Sequence, residues 1–397
     1  MSERVTTVPT RLAQLAARRA EMRARARRRR RRAGIVALAL LVLFGIGAGG
    51  GAILLGWFNE DYEGTGEGHV VVRVLDGDST TRIGEMLADR GVVANAKAFT
   101  SAAARNGRIR SVQPGYYQMH RKMSGAAAVS MLLDPASRVG HLDIRGGVQL
   151  DDTRAPNGAV TPGVLSLIAQ ASCAVFDGQR RCVGVEDLRQ VMAETDPAEL
   201  GVPDWAVQDV RRADPARRLE GLFMPGVYDI APGTPAVEVL RGVLAVSVAR
   251  LESTGIADDA RAMGFDPYQV LVVASLVEKE AITPDMPKVA RVVYNRLDAG
   301  QRLELDSTVN YPLDVQALRT TAAARAQVGP YNTYAVTGLP PTPIAAAGKT
   351  AVAAALAPQP GPWTFFVRCE QAGTSCFSTS LGEHEENVRQ AIANGAF

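Results

Sequence analysis

Histidine is scarce in this chain: four in 397 residues, at His69, His120, His141 and His384. They are scattered, with no HExxH pair and no Cys/His spacing of a zinc site, so no metal and no cofactor is expected. There is no G-x-S-x-G turn for a nucleophilic serine. Gly45, Gly47 and Gly50 formally make a G-x-G-x-x-G pattern, but inside an apolar run and after no strand, which excludes a dinucleotide site. Gly348-Lys349-Thr350 imitates the end of a phosphate loop, yet Pro343 occupies the place of its first glycine.

Lysine is absent from residues 1–33, which instead hold 12 Arg against two Glu. That tail carries +10 of a chain whose net charge is +3, leaving the other 364 residues at −7. The basic charge is therefore a tail, and the mildly acidic body argues against nucleic acid as the substrate of the folded part. The run Arg27–Arg32 reads as a solvated, disordered tail, with anionic lipid or nucleic acid as alternative partners.

Gly34–Phe58 is uncharged and long enough to cross a bilayer as one helix. Arginines precede it and Asn59, Glu60 and Asp61 follow it, so the positive-inside rule places the tail in the cytoplasm and the body outside. A cleaved signal peptide would have a shorter apolar region. Residues 59–68 are a polar, glycine-rich linker that reaches at most about 35 Å. The expected localisation is therefore the cell membrane, single-pass, with the body extracytoplasmic.

Beyond the linker the expected fold class is α+β. Residues 69–138 read as a small β-α-α-β unit. It has a Val-rich strand from His69, a helix carrying Ile83, Met86 and Leu87 and stopped at Gly91, and a second helix capped by Asn95. A strand from Gly115 and a helix from about Ser124 to Leu133 complete it. Residues 139–397 read as one mixed α/β domain. Its expected elements are a strand Leu142–Val148, helices Thr161–Cys173, Val185–Thr195 and Ala236–Ser253, and a hairpin from Thr364 to Ser380.

The stretch Leu271–Tyr311 carries the chemistry. An uncharged run, Val270–Val277, leads directly into Glu278, Lys279 and Glu280. A carboxylate at the end of such a run is costly to bury ionised and tends to keep its proton, as a general acid must. Glu278 also reads as an ordinary surface carboxylate at a helix end. Residues 281–284 break the helix. A second helix follows from about Asp285, with Met286, Val289, Ala290, Val293 and Leu297 on one face.

Four segments occur in order over about seventy residues: ASLVEKEA at 274–281, VARVVYNRL at 289–297, LELDSTVNY at 303–311 and YNTYAVTGLPP at 331–341. They resemble the successive motifs of the MltG-type (YceG-like) endolytic murein transglycosylases. LEGLFMPGVYDI at 219–230 and EHEENV at 383–388 are similar to further segments of that family. The resemblance implies a lyase-type enzyme that cuts peptidoglycan between N-acetylmuramic acid and N-acetylglucosamine, leaving 1,6-anhydro ends and limiting strand elongation. It implies Glu278 as the catalytic acid, and a LysM-like identity for residues 69–138. Membrane-bound cell-wall synthases are the implied partners.

Asp306, Asn332, Tyr334 and Glu280 are the candidates for substrate binding, each with an ordinary turn, cap or helix-bracing alternative. Glu280 lies two residues from Glu278, about 200° around the helix, and cannot address the same bond. Glu220 reads as structural. Ser307, Gly226, Gly147, Thr342 and Ser375 depart from the family pattern, which has Pro, Asp, Glu, Gly and His at those places respectively. The four cysteines follow the apolar run, and closeness in sequence points to the pairs Cys173–Cys182 and Cys369–Cys376 for an oxidising compartment. The competing reading is a non-catalytic glycan-binding scaffold of the cell-wall synthesis machinery.

Overall fold

The computed structural model describes residues 61–316 and 320–396. The expected tail, the apolar segment 34–58 and the start of the linker lie outside the described residues. Among those described, no helix is long and apolar enough to cross a membrane.

The chain begins with strand β1 (Glu67–Val74), helices α1 (Thr80–Asp89) and α2 (Ala96–Ala104), strand β2 (Gly115–Arg121), helix α3 (Gly125–Leu132) and the short strand β3 (Arg138–Val139). The strands form one antiparallel sheet in the order β1-β2-β3, with Val72 opposite Tyr117 and Val70 opposite Met119. Alternation turns Val70, Val72 and Val74 inward against Leu87, Phe99 and Met119, a separate small core. Both helix starts are capped, the second by Asn95 as the sequence predicts and the first by Ser79. Ser79 accepts the Arg82 N–H at 3.2 Å, and Asn95 accepts the Ala98 N–H at 2.9 Å.

The second core starts at strand β4 (His141–Ile144), which pairs antiparallel with a strand nearly ninety residues on. β4 is shorter than expected. Gly147 takes the left-handed conformation (φ +77°), and the chain turns so that Gly147 N–H reaches the Ala346 carbonyl at 2.9 Å. Helix α4 (Val164–Ala171) follows, starting after Pro162 and Gly163 rather than at Thr161. Strands β5 (Ala174–Phe176) and β6 (Gln179–Arg181) make a hairpin where only loop was expected. A disulfide from Cys173 to Cys182 closes it. The hairpin docks on the first sheet: the Gln118 side chain exchanges hydrogen bonds with the backbone of Val175, at 2.7 and 3.1 Å.

Helix α5 (Val185–Glu194), helix α6 (Asp204–Arg212), strand β7 (Gly226–Asp229), the partner of β4, and helices α7 (Ala236–Glu252) and α8 (Ile256–Ala262) share this core with the central helix α9 (Pro267–Glu280), on which α6 and α8 pack directly. The sequence reading missed α6, whose buried face is only Ala206, Val207 and Val210.

Asp266 caps α9 through the Tyr268 N–H at 2.8 Å, and Pro267 pre-sets its first turn. Every residue from Val270 to Val277 is buried. So many β-branched residues are poor helix formers. Here burial decides: each Leu or Val removed from water contributes about 1.5–3 kcal/mol. A helix apolar all round belongs in the centre of a domain.

The remaining elements pack on α9 or brace its end. They are α10 (Met286–Asp298), α11 (Asp306–Asn310), α12 (Lys349–Leu356), the hairpin β8 (Phe365–Arg368) and β9 (Ser375–Ser378), and α13 (Leu381–Ala393). A disulfide joins Cys369 to Cys376 across the hairpin end. The Ser375 N–H donates to Asp285 at 2.7 Å, tying the hairpin to the turn that follows α9.

Candidate active site

Burial along α9 ends at Glu278, which is half-buried. Its carboxylate lies between two loops. Oε2 accepts the backbone N–H of Gly348 at 3.0 Å. Gly348 is the N-cap of α12, and a helix N-terminus favours negative charge. On the other side stands Gly146, where any Cβ would collide with Oε1 of Glu278. Two backbone hydrogen bonds, Gly147 to Ala346 and Ala346 to Val148 at 2.8 Å, lock the two loops together. Gly146 is therefore a steric requirement of the carboxylate. Midway along α9, the Ser275 hydroxyl accepts the Ile344 N–H at 3.0 Å, fixing the approach of the 342–348 segment.

Lys279 donates to the Gly147 carbonyl at 3.3 Å, and its ammonium feels the charges of Glu280, Glu220 and Glu278. Glu280 turns away from Glu278, as the helical phase requires. Its Oε1 is enclosed and has no hydrogen-bond partner. Burial pushes this carboxyl up, partly offset by the facing N–H and hydroxyl of Ser307. The Ser307 hydroxyl stands near without completing a hydrogen bond of its own.

Asp306 starts α11 and is saturated with partners: the Thr320 hydroxyl at 2.6 Å, the Tyr334 hydroxyl at 2.9 Å and Arg325 at 3.1 Å. Burial alone would raise its carboxyl, but these donors hold it below the usual range. Arg325 also lies over the Tyr334 ring, 4.8 Å from its centroid. Asn332 is buried, and its amide group donates to the carbonyls of Arg325 and Gln327 while its oxygen accepts the Tyr334 N–H.

Three of the four substrate-binding candidates are bonded to one another. Asp306, Asn332 and Tyr334 come together, but as a network that holds the 320–334 segment, and the Asn332 amide hydrogens are used up internally. Below them, Thr333 joins Thr308 at 2.8 Å and accepts the Leu305 N–H at 3.0 Å. Glu304 beside them adopts φ +54°, a local strain these bonds support.

Sequence reasoning missed Gly146 and Gly348 as parts of the site. Gly348 had drawn notice only as a false phosphate loop. The spacing of two glycine-containing segments from a distant glutamate carries no local signal.

Glu278 is thus a half-buried carboxylate at the end of a core helix, cradled by two backbone loops in a chain of mixed α+β structure. The chain belongs to the YceG-like family, whose model matches residues 72–390. It is 26% identical over 355 residues to an endolytic murein transglycosylase of Bacillus subtilis (strain 168), covering 87% of this chain and 91% of that one. Its fold is similar to the crystal structure of a yceG-like protein from Listeria monocytogenes, with TM-score 0.53 and 24% identity. That match covers 80% of this chain and 98% of the other.

Proposed function

We propose that this protein is an endolytic lytic transglycosylase of peptidoglycan, with Glu278 as its acid. The observation that carries the reading is the cradle: Glu278 is held by Gly348 N–H and backed by Gly146, with its carboxyl half-open. Most glycosidases divide the work between two carboxylates. A lytic transglycosylase manages with one. Glu278 gives its proton to the glycosidic oxygen, and the bond from muramic acid C1 to that oxygen breaks. The C6 hydroxyl of the same muramic acid closes on C1. Its proton passes to the Glu278 carboxylate, which restores the acid and leaves a 1,6-anhydro ring. The Gly348 N–H stabilises the carboxylate in the interval between the two proton transfers.

The β-α-α-β unit is LysM-like in this reading and either grips glycan or sets the height of the cleft. Residues 34–58 anchor the chain with the body outside, beside membrane-bound synthases whose nascent strands it shortens. Protease added to intact spheroplasts should then remove the body and spare the tail; a protected body contradicts that topology. The function itself is tested by incubating the purified full-length chain with uncrosslinked glycan and analysing muropeptides by mass spectrometry. Internal cuts with 1,6-anhydro ends are expected. Reducing muramic ends would mean that water is the nucleophile. Binding without cuts would favour the scaffold reading.

A further inference from the structure

Glu220 is a buried carboxyl that the cleavage steps leave unused. Its side chain is 2% exposed. Both oxygens accept the Leu150 N–H, at 3.1 and 3.0 Å, and Oε2 also accepts the Tyr311 hydroxyl at 3.0 Å. A polar cavity of about 60 Å³ lies beside it, with Gln149, Asp151, Arg217 and Gln316 in its wall. That is room for a few waters, a route for protons. The titratable groups facing Glu220 are Asp151, Lys279, Tyr268, Tyr311 and Tyr331. Arg217 lies across the cavity, over the ring of Tyr311 at 4.9 Å. Leu150 ends the same loop that begins with Gly146 and Gly147, the loop that backs Glu278.

We propose that Glu220 is a positioning residue for Glu278: its ionised carboxylate clamps the 145–150 loop through the Leu150 N–H, and protonation loosens the clamp. The inference rests on the reading of Glu278 as the acid. Hydrogen bonds to an ionised acceptor are roughly twice as strong as neutral ones, so the two states grip differently. Burial pushes the Glu220 carboxyl up to about 7, against the pull of the Leu150 N–H and the Tyr311 hydroxyl. The clamp therefore changes state close to neutrality.

The test compares the parent chain, Glu220→Gln and Tyr311→Phe from pH 5 to 9, by glycan cleavage kinetics and by thermal melts. The parent rate should rise as Glu220 ionises. Glu220→Gln should lack that rise, with kcat at pH 8 down by about tenfold or more and KM within about threefold, because orientation and not binding is lost. Tyr311→Phe removes one donor to the carboxylate, so the rise should move to higher pH.

In the melts, Glu220→Gln should gain on the parent between pH 5 and 8. Only the parent must carry an ionised buried carboxyl there, and the folded-state shift is upward. The melts need no activity: a parent that cuts nothing overturns the Glu278 reading, while the melts still judge Glu220. The inference is overturned if the rise persists in Glu220→Gln, if Tyr311→Phe leaves the rise where it was, or if the melting difference is flat with pH.

Discussion

Gly348 and Glu278 are seventy residues apart in sequence, and the N–H of the first donates to Oε2 of the second at 3.0 Å. The bond joins the end of the buried helix α9 to the start of α12. It gives the site a fixed geometry, because both partners sit on packed elements. Gly146 closes the other side.

The cradle makes a steric prediction. Gly146→Ala places a methyl group inside the Glu278 carboxylate, whereas Gly348→Ala brings one only to 3.3 Å of it. The first should displace the carboxylate and cost about 100-fold or more in cleavage rate, since a shift of about 1 Å is worth that much. The second should cost much less. Circular dichroism should show both folded. Equal activity for Gly146→Ala and parent would show that the carboxylate needs no such fit.

The Asp306 network should be a matter of stability. Asp306→Asn weakens the pairing with Arg325 and the bonds from Thr320 and Tyr334, at a cost of about 1–3 kcal/mol at pH 7. The Asp306 carboxyl is held low in the folded state. Its contribution is therefore present above the unfolded value near 3.8 and lost as pH falls through the folded one. Urea melts of parent and variant should differ at pH 7 and converge below about pH 4. A gap that stays constant down to pH 3 would contradict this assignment.

Glu280 has the opposite sign. Its carboxyl is raised by burial, so the folded state carries an increasing cost as pH climbs above the ordinary glutamate value of 4.5. Glu280→Gln avoids that cost. Its melting temperature relative to the parent should rise from pH 5 to pH 8, while cleavage falls by less than about tenfold. A loss as large as that of the Glu278 variant would make Glu280 part of the chemistry.

Much of the fold was legible because its signals are local. Asn95 as a cap, the apolar faces of α1 and α10, and the break after Glu280 lie within a few residues of what they control. The centrality of α9 could be read from the uncharged run Val270–Val277. What could not be read depends on pairing across the chain. β4 stops at Ile144 because its continuation turns to meet Ala346, two hundred residues on. α6 has a clear apolar face in Ala206, Val207 and Val210, but it spans only nine residues and its N-cap, Pro203, offers no capping side chain to mark its start. In the site, Glu278 stands out as the candidate acid through motif resemblance. Asp306, Asn332 and Tyr334 could be picked out as motif-bearing polar residues, but the hydrogen bonds that join them across the 306–334 segment could not be read from the sequence.

The account stands on Glu278 as the proton donor. The most direct measurement is the cleavage rate of uncrosslinked glycan by Glu278→Gln beside the parent, with muropeptide products identified by mass spectrometry. Glutamine keeps the shape and still accepts from Gly348 N–H, but has no proton to give. General acid catalysis is worth roughly 10²–10⁴-fold, so a loss of at least that size is predicted, with folding and glycan binding intact. Cleavage by Glu278→Gln at the parent rate would contradict the account.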